Sequence, residues 1–311
     1  QAFDTVLGHS RGLQQVIQLA RKVAVTDVPV LLTGETGTGK EVFAQAIHNG
    51  SARAKQPFVA INCSAFSKEL LESEIFGHKA GAFTGALKDK KGLFEEANHG
   101  TIFLDEIGEM AYGLQAKLLR VLETGEYIKV GDTKPTKIDV RIVSATNRNL
   151  KEEIANSNFR EDLYFRLSVF HLHLPPLRER REDIPELAAA FLKFFAAKMG
   201  KQVKGFAADC QAWMQSYAWP GNVRELRNVI ERALIICDDY ITLDDMPLDF
   251  RSSTLSGSAA DGDDFELAEA EHRHIQRVLQ YTKGNKAEAA RLLKIGLTTL
   301  YRKICLLYTS P

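Results

Sequence analysis

The sequence is short of several things that would narrow its class at once. Cysteine is scarce. Cys63, Cys210, Cys237 and Cys305 lie far apart and form no CxxC pair. A disulfide framework is therefore excluded, and buried thiols in a reducing compartment are predicted. No run of about 18 apolar residues occurs, so no membrane-spanning helix is expected. No secretory leader is recognisable. The chain opens at Gln1 without a methionine, as a piece of a longer protein would. There is no excess of either charge: Lys+Arg and Asp+Glu both total 40, so the overall balance carries no information about partners. Its distribution does. From Glu271 to Lys303 there are eight basic residues (Arg273, Arg277, Lys283, Lys286, Arg291, Lys294, Arg302, Lys303) against Glu271 and Glu288. A basic tail on an acidic body is an electrostatic footprint suited to nucleic acid.

What is present is an alternation of buried strands and helices. VPVLLT at 28–33, residues 58–61, TIFLDEI at 101–107 and VRIVSATN at 140–147 read as strands, with a helix at 40–50. Strands separated by helical stretches predict a mostly parallel sheet covered by helices, an α/β fold. Residues 184–198, 207–216 and 221–236 read as helices, with Asn222 a candidate cap. Residues 249–264, DFRSSTLSGSAADGDD, have a linker composition. Helices follow at about 265–281, 286–293 and from Leu297.

Gly34-Glu35-Thr36-Gly37-Thr38-Gly39-Lys40 fits GxxxxGK between a strand and a helix. Glycines let backbone N–H groups converge on a phosphate. Lys40 supplies a compact cation, and the following helix adds its positive end. Glu41 stands where many such loops have Ser or Thr. Asp105 and Glu106 end an apolar strand, where paired acids are costly without a partner. A metal and an attacking water explain both, Asp105 holding Mg2+ and Glu106 polarising the water; a helix cap is the plainer alternative. Asn147 ends the next strand and faces the crevice where ligands of parallel sheets bind. It reads as a phosphate sensor or a turn cap. Arg160 and Arg166 either pair with Glu161 or Asp162 or supply charge to a phosphoryl group, a charge that often comes from a neighbouring subunit. Arg224 sits early in a helix, where a cation needs an anion such as phosphate or Glu225.

Residues 77–86, GHKAGAFTGA, surround one aromatic, Phe83, with glycine and small residues. Such a segment favours neither helix nor strand. Phe83 is either a movable contact tip or a residue tucked into the core. The tail 284–304 has a helix-turn-helix rhythm: Gly284-Asn285 starts a helix, Lys294-Ile295-Gly296 turns, and Thr298, Thr299, Tyr301, Arg302 and Lys303 decorate the next helix. A three-helix dimerisation bundle is the alternative.

Together these motifs resemble those of the bacterial enhancer-binding proteins, the AAA+ activators of sigma-54 RNA polymerase. The resemblance runs from about Phe3 to Ile304. It implies an AAA+ α/β subdomain at 1–175, a helical lid at 176–248, a linker at 249–264 and a Fis-type DNA-binding domain at 265–304. The tail at 305–311 departs from the pattern and is left unassigned. GETGTGKE at 34–41 resembles the family's first nucleotide motif, Glu41 included. Asp105 and Glu106 resemble the second. Asn62 resembles the residue that switches the catalytic glutamate by hydrogen bonding. Asn147 resembles the first sensor and Arg224 the second, and Arg160 with Arg166 the arginines supplied in trans. Gly81-Ala82-Phe83-Thr84-Gly85-Ala86 is similar to the loop that grips sigma-54, with Phe83 and Thr84 as its contacts. The resemblance thus implies ATP and Mg2+ as cofactors, a hexamer or heptamer, double-stranded enhancer DNA as a partner, and a bacterial cytoplasmic location. The family often carries an N-terminal receiver or sensor, and no such motif stands in this sequence. A DNA-binding regulator that barely hydrolyses ATP and a strand-unwinding remodeller are the rival readings.

Overall fold

The computed structural model describes residues 1–247 and 267–307, with side chains assigned outside 267–273 and 304–307. The 249–264 linker reading and Cys305 thus fall outside what is described. The chain divides into two compact units, Gln1–Thr254 and Leu255–Pro311.

The first unit is built on five parallel strands: β1 Val30–Thr33, β2 Phe58–Asn62, β3 Thr101–Asp105, β4 Arg141–Thr146 and β5 Phe170–His173. Their order is β2-β3-β4-β1-β5. Successive strand residues point to opposite faces, so each strand feeds two cores. Val30, Leu32, Phe103 and Val143 face helices α1 (Arg11–Ala24) and α2 (Lys40–Asn49). Leu31, Ile102, Leu104 and Ile142 face α3 (Lys68–Phe76), α4 (Tyr112–Thr124), α5 (Leu150–Ala155) and α6 (Glu161–Leu167). β4 lies in the middle of the sheet and is buried at all six positions. Its first residue, Arg141, is buried because its guanidinium caps the C-terminus of α1, donating to Ala24 O (2.9 Å) and Val23 O (2.8 Å).

Strand β5 has no signature in the sequence pattern. It reads FHLH, with only Leu172 buried, so it lacks the apolar run that marks the other four. β3 ends at Asp105, two residues earlier than expected, because Glu106 turns into the left-handed region (φ 53°) and Ile107–Glu109 forms a 3-10 turn.

A helical lid follows: α7 Ile184–Met199, α8 Ala208–Ser216 and α9 Asn222–Ile236, packed around Phe195, Trp213, Trp219 and Ile230. The start of the chain is tied to it. Buried Asp183 accepts hydrogen bonds from His9 N (2.7 Å), Ser10 N (2.8 Å) and Ser10 Oγ (2.5 Å). Cys63, Cys210 and Cys237 are buried and free, and burial pushes the thiols of Cys63 and Cys210 up to about 12. Among the described residues, no helix is long and apolar enough to cross a membrane.

The second unit comprises α10 Leu267–Tyr281, α11 Lys286–Leu292 and α12 Leu297–Leu307. Ile275, Ala289, Ala290 and Leu300 form its centre. The two alanines are the small residues that let helices cross closely. Asn285 caps α11 by accepting from Glu288 N (3.2 Å). Lys294, rather than Gly296, adopts the left-handed conformation of the turn (φ 54°).

Candidate functional site

β1 runs straight into the phosphate loop. Gly34, Gly37 and Gly39 all have positive φ, and α2 begins at Lys40. At Gly37 the need for glycine is twofold: φ is +83°, and an added Cβ would meet Gly221 O at 2.3 Å. The lid is seated directly on the loop there. A cleft of about 380 Å³ opens between them, lined by Thr36, Gly37, Gly39, Lys40, Glu41, Asp105 and Glu106 on one side and by Phe191, Val223, Arg224 and Arg227 of the lid on the other. Lys40 is only 7% exposed, and its Nζ donates to Gly34 O and Glu35 O, both at 2.9 Å. Burial lowers its pKa, while the charges of Glu106 and Asp105 pull it back up.

Asp105 and Glu106 reach the cleft from the end of β3. Glu106 N donates to Asp105 Oδ1 (2.9 Å). Burial first, then the Asp105 charge, hold the Glu106 carboxyl above its ordinary value. A non-glycine residue in the left-handed region costs about 1–3 kcal/mol. Glu106 is therefore held in a strained conformation with an unfavourably placed charge, a pairing typical of functional sites. Asn147 at the end of β4 donates through Nδ2 to Thr36 Oγ1 (2.9 Å), joining the next strand to the loop.

Not every expected residue joins this group. Asn62 lies beside Asp105 in register, but the expected hydrogen bond to Glu106 is not made. Its Oδ1 is taken by Ser64 N (2.9 Å) and Ser64 Oγ (2.6 Å) where β2 turns away. Arg160 and Arg166 do not line the cleft of their own chain. Arg160 precedes α6, pairs with Asp162 (3.0 and 2.9 Å) and lies over the Tyr112 ring; Arg166 is exposed on α6. Arg224 is exposed on α9 and lines the cleft, and its N donates to Gly37 O (3.2 Å). Glu225 turns back to Gly221 N (3.4 Å).

Three residues that were not foreseen complete the surroundings. Asn222 is not the cap of α9; Gly221 holds that position. The Asn222 side chain instead reaches Leu177, Glu35 and Thr36. Arg178 pairs with Glu35 (2.7 Å), and this hydrogen bond first of all holds the Glu35 carboxyl below its usual range. Arg180 donates to Thr38 O (3.2 Å). The PPLRERR run at 175–181 offered a signal, three arginines close behind a proline pair, but nothing in their spacing pointed at a loop over 140 residues earlier.

Away from the cleft, residues 81–86 form a closed turn. Gly81 N donates to Ala86 O (2.8 Å) and Ala86 N to Phe83 O (3.0 Å), with Gly81 and Gly85 at positive φ in open space. Ala86 is buried and the rest of the turn projects. Phe83 is 44% exposed, resting edge-on against His78 at 4.9 Å between ring centres. It is thus neither in the core nor free of contacts. In the second unit Thr298, Tyr301 and Arg302 are exposed, Thr299 and Lys303 half-buried, and the Lys286 ammonium sits 5.0 Å over the Tyr301 ring.

Comparison with known proteins places these sites in a family. Residues 6–173 match the sigma-54 interaction domain, residues 178–262 the AAA+ ATPase lid domain, and residues 266–305 the bacterial regulatory protein, Fis family. The chain belongs to the sigma-54-dependent AAA+ activators. It is 44% identical over 302 residues to the transcriptional regulatory protein ZraR of Klebsiella oxytoca, covering 96% of this chain and 68% of that protein. It is 47% identical to the alginate biosynthesis regulator AlgB of Pseudomonas aeruginosa, over 96% of this chain and 67% of that one. It thus spans about two thirds of these relatives. Among solved structures, NtrX from Brucella abortus in complex with ADP superposes with a TM-score of 0.76 at 35% identity, over 98% of this chain and 70% of that one. NtrX has also been solved with ATP. The sigma-54-dependent activator binds nucleotide and hydrolyses ATP, and carries a DNA-binding helix-turn-helix.

Proposed function

We propose that this activator splits ATP at the junction of two subunits of a ring, a hexamer or heptamer, and delivers the energy to sigma-54 RNA polymerase through the 81–86 turn. The observation that carries the reading is the incomplete cleft. One chain supplies Lys40, Asp105, Glu106, Asn147 and Arg224 around the loop, while Arg160 and Arg166 lie outside it. Phosphoryl transfer needs cations on the γ-phosphate; Lys40 and the lid's Arg224 and Arg227 already line the cleft, and a neighbour's Arg160 and Arg166 would add the charge that their own chain holds outside it.

In this reading the amides of residues 34–41 cradle the phosphates and Lys40 neutralises the β/γ oxygens. Phe191 and Val223 offer the apolar wall for the base. Mg2+ typically takes one or two carboxylates with phosphates and waters, so Asp105 beside Lys40 fits as its protein anchor. The metal would neutralise the phosphate charge. Glu106 orients and polarises the attacking water, and its raised pKa makes it a better proton acceptor than an ordinary glutamate. Asn62 controls Glu106 through its Nδ2 donor, with Ser64 holding the Oδ1 end of the amide; Asn147 senses the γ-phosphate, and Arg224 senses it from the lid. Gly81, Ala82, Phe83, Thr84, Gly85 and Ala86 form the sigma-54 contact. Thr298, Thr299, Tyr301, Arg302 and Lys303 meet double-stranded enhancer DNA. We assign the subdomains to 1–175, 176–248 and 265–304, and the protein to the bacterial cytoplasm.

The test is subunit mixing. Arg160→Ala and Glu106→Gln proteins should each be inactive. Mixed, an Arg160→Ala subunit keeps its own Glu106 and receives Arg160 from a Glu106→Gln neighbour, so activity returns. No recovery at any ratio would refute the junction.

A further inference from the structure

The amides of a phosphate loop point inward, so its carbonyls point out and need partners of their own. Each can be accounted for. Gly34 O and Glu35 O accept from Lys40 Nζ. The next three carbonyls are all bound by the lid or the hinge leading to it: Thr36 O by Asn222 Nδ2 (3.1 Å), Gly37 O by Arg224 N (3.2 Å) and Thr38 O by Arg180 Nη2 (3.2 Å). The outer surface of the loop is thus a docking edge for the lid.

Asn222 has a special place in that edge. It is fully buried, at 0% exposure, and its φ of 54° is a left-handed conformation that asparagine tolerates better than most residues. Its carboxamide bonds in both directions. Oδ1 accepts from Leu177 N (2.8 Å), in the segment joining β5 to the lid. Nδ2 donates to Thr36 O and to Glu35 Oε2 (3.2 Å). Its own N–H is bonded to Trp219 O (2.8 Å), whose indole is buried in the lid core. One side chain therefore ties the hinge, the lid and the phosphate loop together.

We propose that Asn222 is a positioning residue for ATP hydrolysis: it couples the attitude of the lid to the geometry of the phosphate loop. It does not touch the reacting atoms. A lid rotation that moves Trp219 and Leu177 pulls on the Thr36 carbonyl through a buried amide. The converse also holds: a phosphate that reorients the 36–37 peptide moves the lid. Arg178 supports the same link from the surface through Glu35, but as an exposed ion pair it contributes little.

The protein carries its own reporter. Its two tryptophans, Trp213 and Trp219, are both in the lid, whereas the phosphates bind in the other subdomain. The experiment uses the full chain. Asn222→Gly keeps the left-handed backbone and removes the carboxamide. Asn222→Asp keeps the acceptor for Leu177 N and removes both donors to the loop, so it remains informative if the glycine variant folds poorly. Tryptophan emission is followed during ATP titration, alongside affinity for a fluorescent ATP analogue and steady-state hydrolysis. The expected result is a lost or blunted emission change, with kcat falling by about ten- to a hundredfold, the scale of a slight misplacement of reacting groups. Affinity should fall by less than kcat. A lower Tm with wild-type kcat, KM and emission change would show a merely structural residue and overturn the proposal. The inference rests on the cleft reading above, and Lys40→Ala separates the two. If that variant binds ATP normally, the cleft assignment fails. If it does not, and the Asn222 variants behave as wild type, only the coupling fails.

Discussion

Replacing Gly37 by alanine tests how tightly the lid is bound to the phosphate loop. The new Cβ would lie 2.3 Å from Gly221 O and 3.1 Å from Arg224 Cβ, at a φ of +83°. The oxygen belongs to backbone at the start of α9 and cannot swing aside, so lid and loop must separate. The left-handed backbone costs about 1–2 kcal/mol. Forced separation in a packed region costs about 1–3 kcal/mol. The Arg224 N to Gly37 O hydrogen bond, worth about 1 kcal/mol net, is weakened or lost. The total is about 3–6 kcal/mol, which for a domain of this size lowers Tm by roughly 6–24 °C. Thermal unfolding followed by tryptophan emission reads the lid directly, and titration calorimetry reads ATP affinity, which should fall as well. Gly12→Ala is the matched control: nothing lies within 4 Å of its Cβ, it sits in exposed helix, and it should stabilise slightly. A Gly37→Ala protein that melts within about 2 °C of wild type and binds ATP unchanged would refute the packing argument.

Glu106→Gln should stop hydrolysis while ATP still binds. The folded protein holds the Glu106 proton above its ordinary value, so ionising it costs stability as pH rises through the folded pKa. At neutral pH the glutamine variant should therefore melt higher; a lower Tm would contradict the burial argument. For the same reason the acid limb of kcat/KM should lie above the ordinary glutamate value of about 4.3, and a flat profile down to that pH would remove Glu106 from its role. Leu300→Ala empties the centre of the second unit, where Leu300 meets Ile275, Ala289 and Ala290. A loss of about 2–5 kcal/mol matches the whole stability expected of so small a core. DNA binding in a mobility-shift assay should vanish while ATP hydrolysis persists, and retained binding would sink the reading of that cluster.

Motifs whose chemistry is local were legible in the sequence. The phosphate loop, the acids ending β3, the glycine-flanked Phe83 and the helix-turn-helix each announce themselves within a few residues, because backbone geometry or helix period fixes their spacing. What escaped was set by distant packing. β5 shows one apolar side chain to the core, so its membership of the sheet depends on β1 beside it. Asn222 looked like a cap because it follows Pro220-Gly221, yet its partners, Glu35 and Thr36, lie more than 180 residues away. Asn62 makes no hydrogen bond to Glu106; its Oδ1 accepts from Ser64 N and Oγ, a local orientation set by the turn after β2. The Arg160 pairing was an open alternative, and within one chain Asp162 takes it. That exposed pair is weak enough to be exchanged for a phosphate.

The most direct measurement of the central claim follows ATP hydrolysis and open-complex formation together, on a sigma-54 promoter, with Phe83→Ala. The account predicts that hydrolysis continues while open complexes drop to the level seen without ATP, because the fuel site is intact and only the projecting ring is gone. Open complexes formed as readily as by the wild-type protein would contradict it.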